Sequence, residues 1–166
     1  TRDRDGTLAY YQNGCFHSQS TARGVSICVY VHVIFQIILQ KKARKILIIG
    51  CGGGTLATML ARKNVHVTVV DINPVAFTIA REYFKMPADV VCVEHDGLAY
   101  VRNAKERFDA VVIDVFDSHN NVPDGFITKE LLSAAKKKLK RGGALVMNVI
   151  KKNAKDKRVD VIAANV

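Results

Sequence analysis

The sequence predicts an α/β protein: a parallel sheet, doubly wound by helices, with a small N-terminal β-hairpin in front of it. Three observations carry this expectation. Five short runs, 45–49, 65–70, 90–93, 108–115 and 144–150, are apolar almost throughout rather than alternating, as strands covered on both faces must be. Stretches with helical spacing separate them, the rhythm of a parallel sheet. The first run opens into Gly50-Cys-Gly-Gly-Gly54, a sharp passage from strand to helix.

Taken in order, residues 7–11 and 15–18 flank Asn13-Gly14, a strong turn signal that predicts the hairpin. The apolar segment 25–40 is expected as a helix packed on the sheet, and its β-branched content leaves strand as the alternative. It is interrupted by Ser26, His32 and Gln36 and falls short of the roughly 20 residues that cross a bilayer. After the glycine loop a helix is expected over 55–62. Strand 65–70 then ends in Asp71, and Asn73-Pro74 caps and opens a helix to about residue 84. Strand 90–93 closes on Asp96-Gly97, a helix follows over 97–105, and strand 108–115 follows that. Thr128 is expected to cap a helix to about Lys140, with Arg141-Gly142-Gly143 as the turn into the fifth strand. Residues 151–166 begin basic and end in a helical pattern. Residues 1–40 thus read as hairpin and helix packed on a core of 41–166.

The composition, 49% apolar and 24% charged, is that of a soluble globular domain. The charged start of the chain carries no apolar signal-peptide region. Cys15, Cys28, Cys51 and Cys92 form no paired spacing, so neither a disulfide framework nor a metal site is expected, and a reducing cytoplasm fits.

The chemistry gathers where strands end. Gly50, Gly52 and Gly54 let a ligand approach the backbone, and the following helix presents its amino-terminal amides. A nicotinamide-type loop would carry a further glycine where Thr55 stands, which argues against a dehydrogenase. Asp71, some 20 residues on, is where a carboxylate accepts from ribose hydroxyls; a helix-capping or surface aspartate is the alternative. Asp96 suits an adenine amine, against a plain Asp96-Gly97 turn. Asp114 and Asp117 end the fourth strand, where an acid can orient a cationic amine or take its proton, against a pair of solvated loop carboxylates.

From about residue 5 to residue 150 the chain resembles the spermidine synthase family of aminopropyltransferases and spermidine synthase-like class I methyltransferases. The resemblance rests on the hairpin, Gln19-Ser20-Thr21, the strand 46–50, Asp71, Asp96-Gly97 and the Asp114/Asp117 pair, in that order. It implies a Rossmann-like class I S-adenosylmethionine methyltransferase fold, with Gln19 beside the nucleoside, Asp71 on the ribose and Asp96 on the adenine. Asp114 would be the base or amine-orienting carboxylate, and Asp117 would contact the amine. A complete sheet of that class adds two strands that this sequence does not supply. Two departures stand out. The family's loop commonly reads GGGDGG, its Asp gripping the aminopropyl ammonium of decarboxylated S-adenosylmethionine; the loop here is one residue shorter and lacks it. An ungapped count from Gln19 puts Cys28 where the family has a tyrosine for the amine, and nearby Tyr30 and His32 read as helix-face residues.

The net charge of +10 raises nucleic acid as a partner. Yet Lys41, Lys42, Arg44 and Lys45 precede the first strand, and Lys136, Lys137, Lys138, Lys140 and Arg141 precede the fifth. Both clusters are expected at the edge away from the ligand; only the group from Lys151 to Arg158 follows a strand toward it.

The expected function is alkylation of a small amine-type acceptor with S-adenosylmethionine or its decarboxylated form, without a metal. The missing loop carboxylate favours methyl transfer. The alternatives are true aminopropyl transfer in polyamine synthesis, and a non-catalytic nucleoside-binding or RNA-binding protein. A small-molecule amine and a second copy in a homodimer are the expected partners. An amine of pKa near ~10.4 is protonated at neutral pH, and removing that proton costs roughly 4–5 kcal/mol. His17, His66, His95 and His119 show no catalytic pattern.

Overall fold

The computed structural model describes residues 1–12, 14–117 and 121–150. The hairpin is present as β1 (Leu8–Gln12) and β2 (Cys15–Ser20), antiparallel, with a register shift between Tyr10 and Tyr11. Asn13 of its expected turn, His119, and the basic and helical stretch expected over 151–166 lie outside the described residues.

Helix α1 (Val29–Gln40) starts four residues later than expected. Residues 21–27 instead turn back: Thr21 N donates to Val25 O, Gly24 N to Thr21 O and Ile27 N to Gln19 O, tying the segment onto β2. From there β3 (Lys45–Ile49), α2 (Thr55–Ala61), β4 (His66–Asp71), α3 (Pro74–Glu82), β5 (Val91–Glu94), α4 (Gly97–Asn103) and β6 (Phe108–Ile113) alternate as anticipated, to within a residue or two at most ends. Asn73 caps α3, its side chain accepting from Val75 N. A 3-10 turn, Asp124–Ile127, was not foreseen; it buries Phe126. Thr128 caps α5 (Lys129–Lys137), which stops short of Lys140.

The last strand, β7 (Leu139–Met147), begins five residues before its expected start. Arg141-Gly142-Gly143 does not turn the chain from helix to strand. It sits inside the strand as an irregularity, between the Phe108–Leu139 and Ala110–Ala144 pairings. Gly142, at φ +78°, absorbs the extra length there.

The five parallel strands lie in the order β5-β4-β3-β6-β7, separate from the β1-β2 sheet. Alternation along each strand sends side chains to two cores. Ile46, Ile48, Val67, Val69 and Val112 face α1, α2 and α3, whereas Leu47, Ile49, Val70, Val111 and Ile113 face α5 and the 3-10 turn. The order reverses between β3 and β6, which opens a crevice at their carboxyl ends.

At the other edge of the sheet, the Asp109 carboxylate of β6 accepts from Arg44 N at 2.9 Å and Lys45 N at 2.8 Å and pairs with Lys140 at 2.8 Å, so one side chain clasps three strands. Burial pushes this carboxyl up, but the Lys140 and backbone hydrogen bonds outweigh it and hold the group below the ordinary carboxylate value. Its stabilisation is therefore complete above the unfolded value and fades as pH falls through the depressed folded one. Asp109→Ala is expected to cost about 2 kcal/mol at neutral pH. In urea titrations the gap from wild type should narrow below about pH 4; a gap that holds constant to lower pH would contradict the assignment.

The amino edge is also where the basic residues collect. The α1–β3 passage carries Lys41, Lys42, Arg44 and Lys45, and the α5–β7 passage carries Lys136, Lys137, Lys138, Lys140 and Arg141. Arg62 and Lys63 lead into β4, and Lys105 and Arg107 into β6.

Candidate active site

At the carboxyl edge, a cavity of about 450 Å³ occupies the crevice between β3 and β6, a volume typical of small-molecule sites. Gly50, Gly52, Gly54, Asp71, Asp96, Gly97, Asp114 and Asp117 all line it, so eight of the nine residues singled out from sequence share one space. Gln19 does not line it. Ser18, its neighbour in β2, faces the glycine loop and accepts from Gly53 N at 2.8 Å, and alternation turns the Gln19 side chain to the other face of the strand.

Gly50 leaves β3 at φ +97°, pressed against the carbonyl of Asp114. Asp71 binds the loop from the neighbouring strand: one carboxylate oxygen accepts from Cys51 N at 2.7 Å, the other from Asn73 N at 2.8 Å. Each oxygen has a second lone pair, so this bracing leaves acceptor capacity. Asp96 caps α4 through Ala99 N at 2.7 Å, which gives it a structural duty beside any ligand role. Gly97 is required by packing, since a Cβ there would meet Ile49 Cγ2 at 2.4 Å. Asp117, past the end of β6, accepts from Asn121 N at 2.9 Å.

Asp114 is held most closely. Asn148, just past β7, donates its side-chain amide to the Asp114 carboxylate at 3.0 Å, and the Tyr30 hydroxyl donates from α1. Burial raises the carboxyl above its ordinary value, and these two donors counter it only in part. The Tyr30 hydroxyl is also pushed up, first by burial and then by the adjacent carboxylate. Tyr30, expected only as a helix-face residue, lines the cavity. α1 is apolar on nearly every side, and its periodicity could not tell the inner face from the outer.

Other residues the sequence did not single out complete the walls. Tyr10, Gln12 and His17 come from the hairpin, with the Tyr10 and His17 rings 5.3 Å apart and tilted by 31°. Burial lowers the His17 pKa, with Asp71 opposing. Ile72, directly after Asp71, is 72% exposed at the rim. Among the described residues, no group of three or more His, Cys, Asp or Glu side chains could hold a metal ion, and no helix is long and apolar enough to cross a membrane.

The strand order, the glycine loop opening from the central strand and the acidic side chains along one crevice define a class I methyltransferase fold. Residues 31–164 match the methyltransferase small domain family, and the chain belongs to it. A polyamine aminopropyltransferase of Sulfurisphaera tokodaii is 38% identical over 109 residues, covering 59% of this chain and 36% of that protein. An eEF1A lysine and N-terminal methyltransferase homolog of Drosophila pseudoobscura is 32% identical over 119 residues, covering 64% of this chain and 18% of that protein. The chain thus spans little more than a third, or less, of these relatives. Among solved structures, spermidine synthase in complex with the transition-state analogue AdoDATO superposes with a TM-score of 0.68 at 22% identity, over 90% of this chain and 58% of that one.

Proposed function

We propose that this chain is the cofactor-binding part of a spermidine synthase-like transferase that uses S-adenosylmethionine to methylate an amine-type acceptor. The observation that carries the reading is the Asp114 carboxylate, gripped by Tyr30 and Asn148 within the same cavity as the glycine loop and Asp71. The donor set fits the cofactor: Asp71 retains acceptor capacity for the ribose, Asp96 and the exposed Ile72 suit the adenine, and the loop Gly50–Gly54 carries no charge. When bound, S-adenosylmethionine supplies an electrophilic carbon on a sulfonium. The protein's own contribution is positioning and a place for the amine's proton. Tyr30 and Asn148 fix the carboxylate of Asp114, which orients a cationic amine and accepts its proton, with Asp117 at the end of the same strand.

An amine is common to the relatives' names: a polyamine in one case, lysine and a protein N-terminus in the other. Aminopropyl transfer is the second reading, favoured by Tyr30, whose hydroxyl reaches Asp114 inside the cavity, and opposed by the loop. A loop carboxylate would repel the carboxylate of intact S-adenosylmethionine and attract the ammonium of the decarboxylated form; without one, the intact cofactor is expected to bind at least ~10-fold more tightly, about 1.4 kcal/mol. Calorimetric titration with both forms tests this. Preference for the decarboxylated cofactor would reverse the order of the two readings, and affinity for neither would remove both.

A further inference from the structure

We propose that the amino edge of the parallel sheet is a docking face for the phosphodiester backbone of nucleic acid, on the opposite side of the molecule from the candidate active site. The basic passages into β4, β3, β6 and β7 belong to four strands that are neighbours in the sheet, spaced about 4.8 Å apart. Their backbones are stitched together: His66 N donates to Arg44 O, Phe108 N to Lys138 O, and Arg44 N and Lys45 N to Asp109. The charges therefore form one continuous face rather than separate solvated helix surfaces.

These four passages hold just over half of the chain's 25 Lys and Arg residues. Among the described residues, Glu106 and Asp109 are the acids within these passages and their strands' first residues, and each is already engaged, with Lys45 at 2.9 Å and Lys140 at 2.8 Å. Helix ends attract basic residues on their own account. The four helices that lead into these passages, α1, α2, α4 and α5, each end with about half a negative charge. That offsets about two positive charges, a small part of the surplus.

The chemistry of the face selects the partner. Protein-binding surfaces have apolar and aromatic centres and are poor in lysine, and a membrane-lying surface needs apolar side chains to insert. Among the described residues, no exposed large apolar residue falls in these four passages: Tyr11 and Phe16 are on the hairpin, Ile27, Val29 and Val33 around the start of α1, Ile72 and Val75 near the cavity rim, and Ile150 past β7, while Tyr83 and Val91 border the face at the passage from α3 into β5. A lysine-rich face without stacking aromatics matches a run of phosphates and reads no base sequence.

The test is fluorescence anisotropy with a labelled RNA duplex of about 20 base pairs and mixed sequence. The wild-type chain is expected to bind, and to lose ~10³-fold in affinity between about 50 mM and about 200 mM salt. Lys41→Glu with Arg141→Glu is expected to weaken binding at least ~10-fold, while the charge-matched control Arg2→Glu with Arg4→Glu changes it less than ~2-fold; should the first pair melt early, Lys41→Gln with Arg141→Gln replaces it. Absence of binding at the lower salt, equal loss in the control, or affinity for anionic phosphatidylserine vesicles without affinity for the duplex would each overturn the proposal.

Discussion

Gly50→Ala is expected to destabilise the fold by at least ~4 kcal/mol, near the top of the range for a single substitution. A Cβ at Gly50 would stand 2.1 Å from the carbonyl oxygen of Asp114 and 2.9 Å from its carbonyl carbon. Both are backbone atoms of the strand beside β3, and Asp114 N is itself bonded to Ile49 O at 2.9 Å, so neither strand can retreat without breaking the centre of the sheet. The residue also sits at φ +97°, which alone disfavours alanine. Gly142→Ala separates the two effects. It has a comparable φ of +78° with nothing within 4 Å of the added carbon, so it should lose only about 1 kcal/mol. Urea denaturation of both variants measures the difference, and similar midpoints would mean that the close approach of β3 and β6 is not as tight as described.

Asp114→Asn is expected to lower the rate of transfer to an amine by ~10²–10⁴-fold, the usual contribution of a positioned acid–base group. Affinity for the nucleoside should stay within a few-fold, because Asp71 and the glycine loop are untouched. The pH dependence provides an independent readout. Burial raises the Asp114 carboxyl above the ordinary value of 3.8, so the carboxylate that takes the proton is lost as pH falls through a higher value than for a solvated aspartate. The acid limb of the wild-type rate profile should therefore lie above the usual carboxylate range. Tyr30→Phe removes a donor that favours the anion and should shift that limb further up. Release of S-adenosylhomocysteine over a panel of amines reads both effects; an acid limb unmoved by Tyr30→Phe would detach the tyrosine from Asp114.

What could be read from the sequence follows the strength of the local signal. The apolar run at β3, the glycines after it, and Asn73-Pro74 at the head of α3 each have a local cause, and each stands where it was expected. The carboxylates at strand ends were legible because a parallel sheet brings every strand's carboxyl end to one edge. Tyr30 was not, since counting along the chain assumed that residues 19–28 carry no irregularity, while the segment in fact folds back on β2 before α1 begins. The facing of Gln19 had no local signal, because the resemblance fixes a position along β2 and not which of two alternating neighbours, Ser18 or Gln19, meets the glycine loop. The early start of β7 was masked by a glycine pair that normally marks a turn and here fills a bulge.

Among the described residues, the hairpin pairs with no strand of the main sheet and contributes none to either core cluster, yet it supplies Tyr10, His17 and Ser18 to the cavity. Its tie to the glycine loop is the bond from Gly53 N to Ser18 Oγ. One wall of the cavity therefore belongs to a unit that opens at a lower free energy than the sheet forming its floor. A ligand that touches both closes the two units into one, so part of its affinity is spent on ordering the wall, and residues far from the reacting atoms, through β1 and β2, set how tightly it is held.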